Sequence, residues 1–487
     1  MHKRICLLLA LLTVLPLASC GGGNGDQNET TATDTTAVDP TTTETTETAV
    51  TDDLPDDLHY NGAEFAFYTR EKDFYHSPIN VEESTGEQLN DALYDRSRFV
   101  EERLGVVFTE TMDPADISKA KSMILAGDST YKIVTGRNVH TVQYAAEGLA
   151  RRVDSLAYLD LEKPYWNAAI NRSLTIGNNM FTVVGDYNLT AYDYTHVLLF
   201  NKELTADLQL ESPYDLVKEG KWTMDTFRQY GETAAADTNG DGTMDVNDRY
   251  GLVSSVKQIP PCFWIGAGLQ GMAKDDADIP QFTMATDEQF LNVLLEIYEL
   301  AWDTGIWYHE TSTDNIPKSS IDLFSQGQAL TMDATFYHVE AFRDMEADFG
   351  ILPFPKYDES QDKYLSRIEG CELPFVPSNL SDAEADMAGA VLEALSSYSR
   401  ENVIPVYYEA YLKTKNTRDT ESAEMLDIVF ANRVFDLSDT VWCDQIRDGF
   451  IYKLFQVNNR NVSSQIAANE GTVQASIDKI VEGFLAE

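Results

Sequence analysis

The chain has 487 residues, and its 80 acidic against 36 basic side chains give a formal net charge of −44. A charge of this size and sign repels phosphate groups, so it excludes nucleic acids and anionic lipid surfaces as partners. Hydrophobic residues make up 43% of the chain, as in folded globular proteins. Its length exceeds what one small core organises, so we expect two lobes or domains.

The first 19 residues resemble a bacterial export signal. Basic residues at positions 2–4 precede an apolar stretch, 5–17, that is too short to span a bilayer. Positions 17–20 read LASC, which resembles a lipobox, whose cysteine is lipidated and becomes the mature N-terminus. Residues 1–19 are therefore interpreted as a lipoprotein signal peptide and Cys20 as the lipidation site. A secretory signal that happens to contain a cysteine is the alternative.

Residues 20–57 follow as a low-complexity segment rich in Thr, Asp and Glu. From residue 21 to residue 57 there is no Lys, Arg or aromatic side chain. Such a segment buries too little apolar surface to offset its ordering entropy, and its charges repel one another. We expect a disordered acidic tether that holds a folded domain outside the membrane, on the extracellular or periplasmic face.

Strands and helices then alternate along the chain, which predicts a parallel sheet in an α/β fold. The predicted elements are a strand at 64–69, a helix from a capping box at Thr85–Gln88 to Gly105, a strand at 106–109, a helix from Asp113–Pro114 to Gly127, and a strand at 132–135. Ligands bind beyond the carboxyl ends of such strands, here at residues 69–71 and 135–138. Beyond about residue 382 the pattern is mainly helical.

Residues 237–248 have the ligand order of an EF-hand calcium loop. Oxygen-bearing side chains occupy loop positions 1, 3, 5, 9 and 12, a backbone carbonyl is available at position 7, and Gly242 stands at position 6 for the tight turn. A helix at 224–236 precedes the loop and a strand at 250–254 follows it. We predict a structural Ca²⁺ site, with an Asx-rich surface turn as the alternative; its ligands would be Asp237, Asn239, Asp241, Thr243, Asp245 and Asp248.

Motifs of catalysis are missing from the sequence. There is no HExxH, GxSxG or Walker loop, and the few histidines belong to no recognised triad. The cysteines after position 20, namely Cys262, Cys371 and Cys443, are far apart and odd in number, which disfavours zinc or iron–sulfur ligation and leads us to expect no disulfide. The sequence therefore favours a binding protein over an enzyme.

Several short stretches occur in an order typical of one protein family. They are VLLFNKEL at 197–204, GKWT at 220–223, FSQGQAL at 324–330 and DFGILP at 348–353. With the lipobox and the acidic tether, these motifs make the chain resemble the extracellular solute-binding proteins of ABC importers, in the carbohydrate-binding group that includes maltose-binding proteins (family 1). The resemblance covers most of residues 60–480.

This resemblance implies a periplasmic-binding-protein type II fold of two α/β lobes. Each lobe would be a mixed sheet flanked by helices, and a hinge would join the lobes. The chain would cross between them near 185–196, 348–355 and 399–405. One lobe would comprise residues 58–187 plus 356–400, and the other residues 188–355 plus 401–487. The implied function is capture of a sugar or oligosaccharide between the lobes and delivery to ABC permease subunits, by a monomer without catalytic activity.

The resemblance also implies positions for ligand contacts, although Thr135 stands where some relatives have tryptophan. Aromatic rings cover the apolar faces of sugars, and polar side chains bind their hydroxyls. The implied ligand-binding residues are Arg70, Thr135, Arg137, Asn138, Asp186, Tyr187, Asp193, Tyr194, Trp264 and Tyr337. Two alternatives stay open: a non-sugar solute such as a peptide, a polyamine or an anionic sugar, with Arg70 and Arg137 favouring a carboxylate, and a surface polysaccharide hydrolase.

Overall fold

The computed structural model describes residues 51–71, 78–114, 117–342, 345, 348–412 and 420–486. The predicted signal peptide, Cys20 and most of the tether lie outside these residues. Within the described residues, no helix has both the length and the apolar character needed to cross a membrane. The cysteines Cys262, Cys371 and Cys443 are buried and free, as we expected.

The folded domain begins earlier than the predicted tether boundary at residue 57. Leu54 is buried in a hydrophobic cluster. Asp52 forms a bidentate ion pair with Arg103 at 2.5 and 2.6 Å, and its backbone N–H donates to Ser397 at 3.1 Å. The prediction of disorder up to residue 57 is therefore wrong, because one apolar side chain and one paired carboxylate attach this acidic stretch to the domain.

Twelve strands and sixteen α-helices are found in the described residues. The strands are β1 Ala63–Arg70, β2 Val106–Asp113, β3 Tyr131–Arg137, β4 His196–Asn201, β5 Tyr250–Val253, β6 Met272–Lys274, β7 Pro280–Phe282, β8 Ala329–Thr335, β9 Phe349–Leu352, β10 Ser366–Arg367, β11 Glu372–Phe375 and β12 Arg433–Val434.

The helices are α1 Gln88–Leu104, α2 Ser118–Leu125, α3 Asn138–Ala146, α4 Ala168–Leu174, α5 Thr190–Asp193, α6 Lys202–Asp207, α7 Pro213–Lys218, α8 Met224–Ala234, α9 Ile259–Gly266, α10 Glu288–Trp302, α11 Lys318–Ser325, α12 Asp382–Asn402, α13 Ile404–Leu412, α14 Thr420–Ala431, α15 Tyr452–Gln456 and α16 Val462–Leu485. Short 3-10 helices lie at Val153–Ser155 and Phe336–Phe342, and a π-helix at Arg447–Ile451.

The first sheet has the strand order β11-β3-β1-β2. Strand β1 pairs in parallel with both β2 and β3, as predicted, while β11 is antiparallel to β3. Phe65 and Phe67 of β1 pack with Phe108 of β2 on one face, at ring-centroid distances of 5.7 and 5.2 Å. Tyr68 belongs to a different hydrophobic cluster. Strand β1 is therefore buried on both faces, as its apolar run requires.

Two predicted helix starts differ from the structure. The N-cap of α1 is Glu87, whose carboxylate accepts from the backbone N–H of Asn90 at 2.8 Å, and not Thr85. Asp113 is the last residue of β2 and accepts the hydroxyl of Tyr68, so it caps no helix. The predicted end of α1 is confirmed, because Gly105 has a φ of +61°.

The second sheet has the order β5-β8-β4-β9. Strand β8 is parallel to β5 and antiparallel to β4, which is also antiparallel to β9. Every residue of β4 and β8 is buried, so this sheet too is covered on both faces. The two sheets and their helices form the predicted mixed α/β architecture.

The second predicted crossing, at 348–355, is wrong. Strand β9 pairs with β4 in the second sheet, and Lys356 still exchanges backbone hydrogen bonds with residues 222 and 224. The chain leaves this sheet only at 366–372, so residues 356–365 belong to the second lobe. The C-terminal assignment is correct only in part. Helix α14 packs on β9 of the second lobe, but α13 packs on α1 and α12 of the first lobe, and α16 contacts α3 as well as β7 and α10.

A buried carboxyl on α12 gives a testable pH dependence. Burial raises the pKa of Glu393 to about 7, although the Tyr165 hydroxyl donates to it at 2.5 Å. The folded protein binds the proton of the Glu393 carboxyl more tightly than the unfolded chain does. The resulting stability is fully present below the pKa of the unfolded chain and is lost as pH rises through 7. Glutamine stays neutral at every pH, so Glu393→Gln avoids this loss. We expect the free energy of unfolding of the variant, relative to the wild type, to be about 1–3 kcal/mol higher at pH 8 than at pH 5.

Urea denaturation at both pH values measures this difference. Glu384 on the same helix is the matched control. Lys132 and Ser381 lower its pKa to about 2, so its contribution to stability has the opposite sign. Glu384→Gln should therefore reduce stability at pH 8. If Glu393→Gln raised the free energy of unfolding equally at pH 5 and pH 8, the Glu393 carboxyl would not ionise between these pH values, against the prediction.

Candidate functional site

The segment 366–372 connects the two sheets at the edges where the parallel strands have their carboxyl ends. On the first sheet this edge is formed by the carboxyl ends of β1 and β3, and Glu372 pairs with Arg137 there. On the second sheet it is formed by the carboxyl ends of β5 and β8, and Ile368 forms a bridge with Thr195, directly before β4. Beyond the carboxyl ends of strands is where open α/β sheets bind ligands.

A group of buried charged side chains, called here the interlobe cluster, lies at this junction. Its members are His196, Asp333, Arg367, Glu369, Asp439 and Arg447, all buried. Arg367 makes a bidentate ion pair with Asp439 at 2.6 and 2.9 Å, and its third nitrogen lies 3.0 Å from Nε2 of His196. On its other side, His196 lies 2.7 Å from Asp333. Buried charges are tolerated only when they are paired in this way.

The charged neighbours in the cluster shift the pKa of His196 and of Glu369. Burial works against a charge on His196, but neighbouring Cys262 and Asp333 outweigh it, and the pKa of the imidazole lies well above its usual range. Burial likewise works against ionised Glu369, but His196, Arg367 and Arg447 lower the pKa of this carboxyl. Both arginines of the cluster thus have a carboxylate partner in Asp439, at 2.6 Å from Arg367 and 3.1 Å from Arg447.

Three buried polar atoms lack a hydrogen-bond partner among the described residues; one belongs to Gln258, which contacts Arg367 of the cluster, and the others lie on β3 and β10. They are Nε2 of Gln258, Oγ1 of Thr135 and Oγ of Ser366. Gln258 and Ser366 have no exposed surface, and Thr135 is 3% exposed. Buried polar groups are nearly always paired, so each unpaired atom marks a place where a ligand or water completes the bonding.

Partly exposed side chains surround the buried charges. Asn315 donates to Glu369 at 2.8 Å, and the Lys257 ammonium lies 5.3 Å from the centre of the Tyr452 ring. Tyr337 and His338 are also partly exposed and lie on the 3-10 helix that follows β8. The π-helix carries Arg447, and such helices are frequent at functional sites. Together these groups offer aromatic faces and hydrogen-bonding groups next to each other.

The structure brings together the four predicted ligand residues of the first lobe. Arg70 pairs with Glu372 at 2.6 Å, and Arg137 pairs with Asp444 at 2.7 Å. Asn138 donates to the carbonyl of Thr440 at 2.6 Å. With Thr135, these residues form one edge that contacts the segment 436–447. Both predicted arginines are thus already paired with carboxylates of the chain.

The predicted ligand residues of the first crossing are engaged within the protein. Asp186 accepts the Tyr192 hydroxyl at 2.6 Å, and Asp193 accepts the Tyr407 hydroxyl at 2.7 Å. Tyr187 is buried in a hydrophobic cluster, and the carbonyl of Tyr194 accepts the backbone N–H of Glu369 at 3.1 Å. The structure therefore places Tyr187 in the core instead of the site.

Trp264 is also part of the core, so the prediction that it stacks on a ligand is wrong. Its side chain has no exposed surface, its ring lies 5.5 Å from that of Phe290, and its indole N–H donates to Asp436 at 3.1 Å. The apolar helix α9 buries it completely. Tyr337 is partly exposed near the cluster, and its ligand role stays a prediction.

Sequence reasoning named no member of the interlobe cluster as a ligand contact. Gln258 and the cluster residues Arg367, Glu369 and Asp439 belong to no motif, and the acidic ones cannot be told apart from the other acidic residues among the 80 in the chain. A usable signal was the position of His196 directly before the apolar run 197–200, where a charged group requires a buried partner.

The predicted calcium loop is held by hydrogen bonds from its own backbone. Asp237 accepts from the N–H groups of Gly240 at 2.7 Å and Gly242 at 2.8 Å, and both glycines have positive φ. Asp248 accepts from the N–H of Asp245 at 2.8 Å. The oxygen donors suit Ca²⁺. In the described chain, however, no three of the loop's carboxylates have oxygens within 4.8 Å of one another, so binding would require side-chain rotation.

Within the described residues, one group has three metal-type ligand atoms within 4.8 Å of one another, namely His196, Cys262 and Asp333. Arg367 opposes a metal there, because its guanidinium lies 3.0 Å from His196 and 3.7 Å from Cys262. A divalent cation would meet that positive charge. The arrangement fits an ion-pair network better than a metal centre.

No protein-family model matches the chain, and neither does any curated protein. Its fold matches many solved structures. An ABC substrate-binding protein of Listeria monocytogenes in complex with cycloalternan is 13% identical, with a TM-score of 0.55 over 86% of this chain and 99% of that one. The maltose/maltodextrin-binding domain of Bdellovibrio bacteriovorus bound to maltotriose is 16% identical, with a TM-score of 0.53 over 85% and 100%.

The GacH receptor of Streptomyces glaucescens, solved unliganded and in complex with acarbose, is 13% identical, with a TM-score of 0.53 over 85% of this chain and 98% of that one. These proteins are binding proteins, and nearly their whole length is matched. The comparison confirms the two-lobed α/β fold and, at the level of fold, the resemblance to ABC substrate-binding proteins.

Proposed function

We propose that this protein captures a sugar or oligosaccharide between its two lobes and delivers it to an ABC transporter permease, without catalysing a reaction. The observation that carries the proposal is the interlobe cluster where the two sheet edges are joined, with an unpaired amide N–H on Gln258 beside it and unpaired hydroxyls on Thr135 of β3 and Ser366 of β10. Buried polar groups and nearby aromatic side chains match the hydroxyls and apolar faces of a sugar. The sugars bound by the structural neighbours support the same class of ligand.

A thermal-shift screen against a glycan panel tests this function. The chain from residue 20 onward, carrying Cys20→Ser, is heated with and without each glycan. A ligand that binds the native state raises the melting temperature, and at 100 times its Kd the gain is about 2.7 kcal/mol. We expect one or a few sugars to do so and to be recovered unchanged. If peptides or polyamines shift the melting temperature while no sugar does, the proposed ligand class is wrong; sugar cleavage would indicate a hydrolase.

The location and partners form a second part of the proposal. The lipobox and tether support a monomeric lipoprotein anchored through Cys20, outside the cytoplasmic membrane, next to the permease subunits that receive the sugar. Labelling of cells with a radioactive fatty acid should mark the wild-type protein and not Cys20→Ser. The variant should appear in the soluble extracellular or periplasmic fraction. An unlabelled wild-type protein would support the alternative of a secretory signal.

We also propose that residues 237–248 bind a structural Ca²⁺ ion, supported by the ligand order and the oxygen donor set. The ion would link the end of α8 to the start of β5. We expect millimolar Ca²⁺ to raise the melting temperature and a chelator to reverse the rise, because the ion binds the folded loop. The double variant Asp237→Asn, Asp241→Asn should lose this response.

The matched control is Asp276→Asn, which removes an exposed carboxylate of the β6–β7 turn and leaves the loop intact. It should respond to Ca²⁺ as the wild-type protein does. An equal response in the loop variant and in the wild type would contradict a site at 237–248.

A further inference from the structure

Gln258 has a side-chain amide whose orientation is set by its neighbour. Its oxygen accepts from a guanidinium N–H of Arg367, and Arg367 is itself held by the bidentate ion pair with Asp439. Arginine only donates hydrogen bonds, so the amide group that faces it must be the oxygen. The Nε2 group is thereby directed away from Arg367.

That Nε2 group is a buried donor without an acceptor among the described residues. Gln258 has no exposed surface and stands directly before α9, on the segment that leaves the carboxyl end of β5. An unpaired buried donor costs roughly 1–3 kcal/mol, which a ligand oxygen in hydrogen-bond contact would recover. A site that contains such a donor discriminates strongly against ligands that lack the acceptor.

The charges around Gln258 indicate what kind of oxygen it binds. The arginines at the ends of β1 and β3, in β10 and in the π-helix are each paired with a carboxylate of the chain; the pairs are Arg70–Glu372, Arg137–Asp444, Arg367–Asp439 and Arg447–Asp448. An anionic ligand that bound to any of these four arginines would have to displace its carboxylate and would leave that carboxylate uncompensated. That is costly in a buried site.

We propose that Gln258, positioned by Arg367, determines the specificity of the interlobe site by donating its amide N–H to an uncharged ligand oxygen. The site then takes neutral sugars and rejects uronates and sugar phosphates. This inference rests on the proposed function and narrows its ligand class. It also argues against an anionic sugar as the ligand, which was an alternative that Arg70 and Arg137 suggested in the sequence.

The test compares variants at position 258 on a panel of paired probes. The neutral probes are maltotriose, cellotriose, xylotriose, raffinose and N-acetylchitotriose; the acidic probes are trigalacturonate, trimannuronate and glucose 6-phosphate. Calorimetric titration identifies which of them bind the wild-type chain. We expect a neutral probe to bind, and Gln258→Leu to weaken its binding about 10-fold or more, measured at a temperature where the ligand-free variant is fully folded.

The variant Gln258→Glu has a side chain of the same size and shape, so it tests whether the amide N–H itself, and not only packing, contributes to ligand binding. A carboxylate at 258 still pairs with Arg367 but offers no N–H, so it too should weaken binding of the neutral probe. The control Gln143→Leu removes an exposed amide on α3 and should leave binding unchanged. Wild-type affinity in both position-258 variants would overturn the role of Gln258 and leave the proposed function intact. Preferential binding of an acidic probe would overturn the neutral specificity, and binding of none of the sugars would overturn the proposed function itself.

Discussion

Replacing Arg367 by methionine is expected to lower the free energy of unfolding by about 3–5 kcal/mol, because it leaves buried carboxylates uncompensated. Arg367 has no exposed surface and pairs with Asp439 at 2.6 Å, and both are fully buried. Its charge also helps to hold Glu369 ionised. Chemical denaturation of the ligand-free protein measures the loss.

Two further variants show whether the effect comes from the charge. Adding Asp439→Asn to Arg367→Met should recover part of the stability, since it removes a buried carboxylate whose one remaining cationic contact among the described residues is Arg447, at 3.1 Å. The control Arg98→Met breaks the ion pair between Arg98 and Glu101. The Arg98 side chain is 41% exposed, so this change should lower the free energy of unfolding by about 0–1 kcal/mol. If Arg367→Met cost no more than Arg98→Met, the interlobe cluster would not be a tightly coupled ion network.

Replacing Trp264 by alanine is expected to destabilise the protein by about 3–5 kcal/mol, through the lost contacts and the cavity that remains. The ring is enclosed by α9 and α10, and its indole N–H is one of the donors to Asp436. Burial and the charge of Asp439 raise the pKa of Asp436 to about 6, so loss of a donor there adds to the cost.

The size of this effect separates a core residue from a ligand platform. Trp264→Phe keeps a ring in the core and should cost less than Trp264→Ala, measured by the same denaturation experiment. A tryptophan that stacked on sugar at an open surface would behave differently. Its replacement by alanine would weaken sugar binding and leave the ligand-free stability nearly unchanged, and that result would contradict the buried position.

Local sequence patterns predicted the architecture well. The apolar runs at 64–69 and 132–135 are strands β1 and β3, and Gly105 ends α1 with the positive φ that glycine readily adopts. These features depend on a few neighbouring residues, so they can be read from the chain itself. Helix starts were less predictable, because Thr85 and Asp113 found other partners in the folded protein.

The lobe boundaries required the tertiary structure. Residues 348–355 were predicted to cross to the first lobe, but β9 within them pairs with β4, and the backbone of Lys356 bonds to residues 222 and 224 of the second lobe. Helix α16 is amphipathic, and the sequence does not indicate that it packs against elements of both lobes. Such assignments depend on contacts between distant segments, for which periodicity carries no information.

The sequence by itself determined the α/β class, the positions of β1, β2, β3 and β5, and a resemblance whose implied two-lobed fold the comparison with solved structures confirmed. Only the tertiary structure decided which polar residues form the candidate site. His196 and Asp333 are 137 positions apart, and Arg367 reaches His196 from 171 positions away. Their meeting depends on strand register and on where the chain crosses between sheets. The segment 436–447 both joins these charges and helps to hold Trp264 in the core, because Asp439 pairs with Arg367 and Asp436 accepts the indole N–H of Trp264.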